Sequence, residues 1–475
     1  MQIGAQLKKG VIIEGGAAEW QIFQQDAHGE ASIRIWGTCH RVRQEMELPM
    51  TFREIAAGAV TVKARVALES SGESVLPWTP CRVQDDARWE ITFEHVPAGG
   101  LYRIETYMEY EGWDGLSSTR GDMVHNLGVG DIFVVAGQSN AAGRSKNTIE
   151  DSPELGVHLL RDSGVWALAT HPLGETTGSV HIGHFENHNP GHTPWLHFAK
   201  LLKRELGYPI GLVMSAYGGA PLRWWNPEEN GSLHCNMLEQ LADYRIHPKA
   251  VLWYQGEAEG YENAAESYLA RFTQYVAALR RDLAQPDLPV ITVQVNRCMN
   301  PADLALDRQW GMVRQAQVEA ARTIPGVYVL PSTDVALYDF IHNSAQGNLV
   351  IGERCARCAL AELYGRPLEW RAPEATLAKR LSPDTVELHF SRIFNWLNPF
   401  DVGPELLPFE AEDDEGLQKC ASYECRTDSL VLRFARPLAK DAFLHGVWRM
   451  NPGPCTPCDC MRMPMLSFYH LPITD

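Results

Sequence analysis

Between residues 2 and 129, apolar and polar positions alternate in short runs, for example Ala31-Ser32-Ile33-Arg34-Ile35-Trp36 and Val60-Thr61-Val62-Lys63-Ala64-Arg65-Val66. Turns containing Gly, Pro or Asp separate the runs. Successive strand side chains point to opposite faces, so this period of two predicts strands that each bury one face. Many such strands in series, with no helical spacing between them, predict a β-sandwich or jelly-roll module over 1–128.

The pattern changes at Asp131-Ile132-Phe133-Val134-Val135-Ala136, where the apolar run is continuous. Strands covered on both faces read this way, which is the condition of a parallel sheet. Trp195, Phe198, Leu201 and Leu202 then fall at helical spacing before Gly207 and predict a helix over 194–206. Alternation continues with strands over 210–214, 250–254, 289–295 and 327–331 and helices over 264–283, 310–323 and 348–364. Strands alternating with helices require a parallel sheet whose right-handed crossovers put helices on both faces. An α/β domain is expected over 129–368. Beyond Pro367 the period of two returns, as in Thr385-Val386-Glu387-Leu388-His389-Phe390 and Ser429-Leu430-Val431-Leu432-Arg433-Phe434, and predicts a second β-sandwich or jelly-roll module over 369–475.

Several modules suit the length, because 475 residues exceed what one core usually organises. Hydrophobic residues at 45% and charged residues at 21% are ordinary for folded protein. A formal net charge of -17 disfavours nucleic acid, whose phosphates are bound by clustered Lys and Arg. No apolar stretch reaches the roughly 18 residues of a membrane span, so no membrane partner is expected. Lys8 and Lys9 precede only the short apolar run from Val11 to Ile13, less than an export signal requires. Together with an odd count of 11 cysteines, this favours a reducing compartment and a cytoplasmic location. A homo-oligomer is compatible with the sequence.

Candidate chemistry sits where strands end. Gly137-Gln138-Ser139-Asn140 follows the first strand of the α/β domain, at the carboxyl edge where open sheets bind ligands. Serine is a weak nucleophile unless a base takes its proton, usually a histidine oriented by a carboxylate. Asp339-Phe340-Ile341-His342 offers both in the loop after the 327–331 strand. Most serines in such a place only cap a helix, and an isolated Asp-x-x-His is usually a surface turn. Their joint position is what points to catalysis. Acyl transfer also needs donors for a developing oxyanion. Ser215-Ala216-Tyr217-Gly218-Gly219-Ala220 supplies backbone N–H groups where glycine permits close approach, and Trp253-Tyr254-Gln255-Gly256-Glu257 supplies the Gln255 amide.

These four blocks, in this order, resemble the sialate O-acetylesterase and carbohydrate acetylesterase branch of the SGNH hydrolases. Gly130-Asp131-Ile132-Phe133-Val134 and Tyr208-Pro209-Ile210-Gly211-Leu212-Val213 extend the likeness upstream of the first two blocks. Val447-Trp448-Arg449-Met450-Asn451-Pro452, with Leu471 and Pro472, is similar to the family's C-terminal region. The resemblance implies an SGNH-hydrolase, flavodoxin-like parallel-sheet core in three layers, flanked by N-terminal and C-terminal β-sandwich or jelly-roll modules. It also implies a serine esterase that removes O-acetyl groups from carbohydrate, sialate first, through an acetyl-enzyme and with neither cofactor nor metal. Carried over position by position, Ser139 is the nucleophile, His342 the base and acid, and Asp339 the group that orients His342. The oxyanion donors are the N–H of Ser139, an N–H of Gly218 or Gly219, and the Gln255 side chain. Glu257 and Asn140 stand behind them, Glu257 supporting the Gln255 loop. Two alternatives accompany this expectation: acetylated xylan or another plant polysaccharide as substrate, and a carbohydrate-binding protein with an inactive core.

The chain departs from the family pattern at Ala141, where Met is usual, and at Ala220 and Arg223. Arg223 either pairs with a substrate carboxylate such as that of sialic acid or forms a salt bridge to a neighbouring loop. Trp224 and Trp225 are candidates to stack on a sugar ring, against core packing for at least one of them. His181, His184, His188 and His192 crowd one loop without a matching carboxylate spacing, so a substrate rim or a solvated loop is expected there rather than a metal. Cys355/Cys358 and Cys455/Cys458, with Cys460, have zinc-site spacing, yet the first pair falls in a predicted helix where packing accounts for it.

Overall fold

The structure is a computed structural model and describes residues 10–45, 51–55, 60–112, 115–180, 185–186, 190–398, 402–403, 406–453 and 455–475. In the N-terminal part, the strands Gly10–Gly15, Glu30–Glu45, Thr51–Ile55, Arg82–Val83 and Arg88–Pro97 form one sheet. Facing it are Ile22–Gln24, Val60–Leu68, Ser74–Pro80, Gly99–Gly112 and the first part of Gly115–Gly137. Alternate side chains of both sheets, among them Ile33, Ile35, Val62, Ile104 and Val124, meet in one apolar core.

The strand Gly115–Gly137 is 23 residues long and belongs to two environments. Gly115 to Val129 pair antiparallel with Gly99–Gly112. Asp131 to Val135 then pair in parallel with Ile210–Met214, and Phe133 to Gly137 with Ala250–Tyr254. The full α/β sheet runs in the order Trp166–Leu168, Val157–Leu160, Ile210–Met214, Gly115–Gly137, Ala250–Tyr254, Val290–Val293, Val327–Leu330. Its edge corrects the expectation of an all-parallel sheet, because Trp166–Leu168 returns antiparallel to Val157–Leu160. The connection between them is too short for a crossover, which needs a dozen residues or more.

Helices cover both faces of this sheet. Ile132, Val134 and Ala136 pack with residues of Ser232–Asp243, Tyr268–Asp282 and Leu304–Thr323. Phe133 and Val135 point the other way, toward Trp195–Leu206 and Ala345–Tyr364. The continuous apolar run at 131–136 is thus a strand buried on both sides. Local chemistry sets the helix starts. The Asp303 carboxylate accepts from Leu306 N, and the Ser344 hydroxyl accepts from Gly347 N at 3.0 Å, so both helices begin earlier than their apolar spacing suggests. Cys355 and Cys358 sit inside the last helix among apolar side chains. Burial pushes the Cys355 thiol up to about 12 and Cys358 well above its ordinary value, against the thiolate that a zinc ligand must be.

The C-terminal module is a closed barrel in the order Glu374–Ser382, Thr385–Ser391, Ser429–Phe434, Gly416–Cys425, Phe409–Asp413, Phe443–Gly446, Phe468–Thr474. This corrects the expected sandwich or jelly roll. Ala378 pairs with Ile473 and Lys379 with Thr474, in parallel, and this last pairing removes the free edges. Alternation along a strand is the same in a sandwich and a barrel, so the closing pair alone distinguishes them.

One buried cation fastens the barrel to the α/β domain. Arg314, on Leu304–Thr323, donates to the carbonyls of Val295 at 2.8 Å, Asn296 at 3.0 Å, Val447 and Trp448 at 3.1 Å and Arg449 at 2.7 Å. Beside it, Asp307 accepts from Arg449 Nη1 at 2.7 Å and Met450 N at 2.9 Å. Arg314→Leu leaves those carbonyls buried without a donor, so it is expected to cost about 3 kcal/mol or more in urea unfolding of the whole chain. A cost below about 1 kcal/mol would contradict this role.

Candidate active site

Gly137 ends its strand at φ 125°, and a Cβ there would lie 2.2 Å from Tyr254 O. Glycine alone lets the chain turn this close to the neighbouring strand. Ser139 opens the one-turn helix Ser139–Ala142 immediately afterwards. The segment that carries Asp339 and His342 is a tight loop in which Leu337 bridges to Asn343 and Tyr338 N donates to His342 O at 2.8 Å.

Within that loop, Asp339 Oδ1 accepts from Ile341 N at 2.9 Å and His342 N at 2.7 Å, and Oδ2 lies 2.7 Å from His342 Nδ1. Burial works to raise the Asp339 carboxyl, but the two amides and the ring outweigh it and hold the group below its ordinary range. A carboxylate at Nδ1 fixes the proton there and leaves Nε2 with its lone pair. His342, Ser139, Gln138, Gly218, Gly219 and Glu257 all line one cavity of about 630 Å³. Among the described residues no hydrogen bond joins Ser139 Oγ to His342, a contact that often tightens only around substrate.

Asn140 ties the pieces together. Its Oδ1 accepts from Asn343 N at 3.0 Å, while Nδ2 donates to Glu257 Oε1 at 2.7 Å and Ile341 O at 3.3 Å. One side chain thereby links the Ser139 turn, the loop of His342 and the helix Glu257–Tyr261. Burial raises the Glu257 carboxyl, which favours its neutral form. Glu257 thus lines the cavity itself and is tied to the Ser139 turn by Asn140, and among the described residues its carboxyl makes no hydrogen bond to the Gln255 loop expected from the sequence.

The expected oxyanion donors divide. Gly219 has φ 65°, lines the cavity and would present a Cβ to nothing within 4 Å. Its N–H has no partner among the described residues. Gly218 N instead donates to Glu186 Oε2 at 3.1 Å, and the other oxygen of Glu186 pairs with Arg144. Gln255 is a correction: it is buried away from the cavity, its Nε2 donating to Ala220 O at 3.2 Å and to the Glu259 carboxylate.

The expected substrate contacts are corrected too. Arg223 spends its guanidinium on both oxygens of Glu262. Trp224 packs edge-on to Tyr217 with centroids 5.8 Å apart, and Trp225 is buried against Trp253 and Tyr275. Neither tryptophan lines the cavity. Its aromatic walls are Tyr261 and Phe340, both half-exposed. Cys298 Sγ and Asn300 Nδ2, each 3.1 Å away, hold the Tyr261 hydroxyl. Phe340 lay inside a recognised block and Arg144 four residues after Asn140, but no spacing pointed to Glu186 or Tyr261.

Of the histidine-rich loop, His181, His184 and His188 lie outside the described residues. His192 stacks on His171 at 4.0 Å, and the two Nε2 atoms are 3.2 Å and 2.9 Å from Asp151 Oδ2. Lys200 Nζ occupies the other oxygen at 2.8 Å. Burial works to raise the Asp151 carboxyl, yet these partners hold it well below its ordinary range. Two imidazoles and one ammonium thus converge on a single buried carboxylate.

The Asn140 junction carries a testable cost. Asn140→Ala leaves Asn343 N–H and Glu257 Oε1 buried without their partner, an expected loss of about 2–4 kcal/mol in urea unfolding. A loss within about 0.5 kcal/mol, the scale of ordinary surface changes, would rule the junction out.

Comparison with known proteins places this geometry. Residues 129–361 match the family model described as SASA, carbohydrate esterase, sialic acid-specific acetylesterase, a span that includes Ser139 and the Asp339–His342 loop. A protein of Arabidopsis thaliana described as a probable carbohydrate esterase is 30% identical over 203 residues, covering 38% of this chain and 75% of the relative. The sialate O-acetylesterase of Homo sapiens is 25% identical over 234 residues, 42% of this chain, and the match spans 43% of that protein's length. The crystal structure of a carbohydrate acetylesterase from Xanthomonas citri superposes with a TM-score of 0.63 at 19% identity, covering 95% of this chain and 97% of that one, a likeness of fold. Matched through both blocks and covering three quarters of a relative at 30% identity, this chain belongs to the SASA family of carbohydrate esterases.

Proposed function

We propose that the chain hydrolyses O-acetyl esters of carbohydrate through an acetyl-enzyme on Ser139, using an SGNH-type Ser139–His342–Asp339 triad. One observation carries this reading: a histidine whose tautomer is fixed by Asp339 opens onto the same cavity as a serine at a parallel-strand end. Ser139 Oγ attacks the acetyl carbonyl while His342 Nε2 takes its proton. The oxyanion is held by the N–H groups of Ser139 and Gly219. Collapse breaks the ester bond, and His342 returns the proton to the departing sugar oxygen. Water, deprotonated by His342, then releases acetate and restores Ser139.

The lining favours a sugar without a carboxylate over sialate. Arg144, the guanidinium on the cavity wall, already pairs with Glu186, and Arg223 with Glu262. Glu186, Glu257 and Glu262 add acidic groups to the same wall. Tyr261 and Phe340 offer faces on which apolar sides of a neutral ring can rest.

Ser139→Ala is expected to abolish hydrolysis of p-nitrophenyl acetate in a folded protein, and Asp339→Asn to lower kcat about 10⁴-fold by releasing the wrong tautomer. A folded Ser139→Ala variant with undiminished activity would sink the mechanism. Between substrates, acetylated xylo-oligosaccharides are expected to exceed 9-O-acetylsialic acid in kcat/KM by about tenfold or more, ~1.4 kcal/mol of transition-state discrimination. A preference for the sialate would overturn the neutral-sugar reading and leave the triad standing.

A further inference from the structure

We infer that the side-chain amide of Gln138 is an oxyanion donor for the acyl transfer, in the place expected for Gln255. The inference rests on the Ser139 mechanism proposed above. Stabilising a tetrahedral oxyanion takes several donors already aimed at it. Of the expected set, Gly218 N–H is held by Glu186 and the Gln255 amide by Ala220 O and Glu259, which leaves the backbone N–H groups of Ser139 and Gly219.

Gln138 directly precedes the nucleophile and is one of the residues lining the cavity, although it is only 3% exposed. Its Oε1 accepts from Gly256 N at 3.4 Å and Ala258 N at 3.3 Å. Two backbone N–H groups converging on one end of an amide fix which end is oxygen, since the flipped side chain would set donors against donors. The NH₂ end is therefore turned away from the 256–258 turn. It donates to no described residue, so its two hydrogens are uncommitted, at a residue that lines the cavity together with Ser139. The two anchoring amides hold it without substrate, and a donor held in advance needs no reorganisation when charge develops. When the ester carbonyl becomes an oxyanion, one Gln138 N–H donates to it. No covalent bond to Gln138 forms or breaks.

The test compares Gln138→Ala, Gln138→Glu and Ser139→Ala with the wild-type full chain, using p-nitrophenyl acetate hydrolysis and thermal unfolding. Gln138→Ala is expected to lower kcat about 10²–10³-fold with KM within about threefold, the pattern of an interaction made only in the transition state. Gln138→Glu keeps the acceptor for Gly256 and Ala258 but replaces the donor by a carboxylate, and is expected to lose at least as much. Rescue of activity by the Glu variant would mean that Gln138 only braces the turn, and the inference would fall. Both Gln138 variants staying within about threefold of wild type while Ser139→Ala is inactive would likewise remove Gln138 and leave the serine mechanism intact. An active Ser139→Ala would instead bring down the mechanism itself.

Discussion

The strand Gly115–Gly137 is the constraint on which the molecule is built. Its first part is a member of an antiparallel sheet with one face toward the N-terminal core, and its last part is the doubly buried strand of the α/β sheet. Because one strand runs through both sheets, the N-terminal sheets help to fix the position of the segment that carries Ser139. The apolar residues of 131–136 anchor that end on two cores at once, so the turn at Gly137 leaves from a place with no slack. Were Ser139 the nucleophile proposed above, that anchoring would hold its geometry in advance of reaction.

Beyond the strand, polar contacts rather than apolar packing hold the site together. Asn140 satisfies a backbone N–H and a carbonyl of the His342 loop and a buried carboxyl of the helix Glu257–Tyr261. Each contact is worth little alone, but losing the hub strands several buried groups at once, and that asymmetry is what makes the arrangement specific. Arg314 plays the same part between the helix Leu304–Thr323 and the barrel, with carbonyl oxygens in place of a carboxylate partner. In both cases one side chain with several donors replaces a covalent tie.

The legible parts of the sequence were those where one physical requirement dominates. Continuous burial gave the strands Ile210–Met214 and Ala250–Tyr254 their bounds, and an acid and a base three residues apart marked the loop of Asp339 and His342. Barrel closure was not legible, because it depends on a pairing between residues near 378 and 473. The helix Ser232–Asp243 was missed because its apolar positions are diluted by His, Asn and Gln. The direction of an amide is hidden as well. Gln255 turns inward because Glu259 and Ala220 O receive it, and Gln138 is oriented by two N–H groups that its own neighbours in the chain do not supply. Arg223 and the two tryptophans looked functional for their side-chain chemistry, and tertiary partners decided otherwise.

The charge pairs around the cavity bear on selectivity beyond their count. An anionic sugar would have to draw Arg144 from Glu186, leaving that carboxylate held only in part by Gly218 N–H and facing a second negative charge. Breaking a mostly buried pair costs more than forming it returns, because the abandoned partner stays desolvated. A neutral ring asks for no such exchange: it can rest against Tyr261 and Phe340 while the pair stays closed and keeps Gly218 in place. On the reading proposed above, the ion pair that supports the glycine turn would also disfavour a carboxylate, so oxyanion geometry and choice of an uncharged substrate would rest on the same contacts.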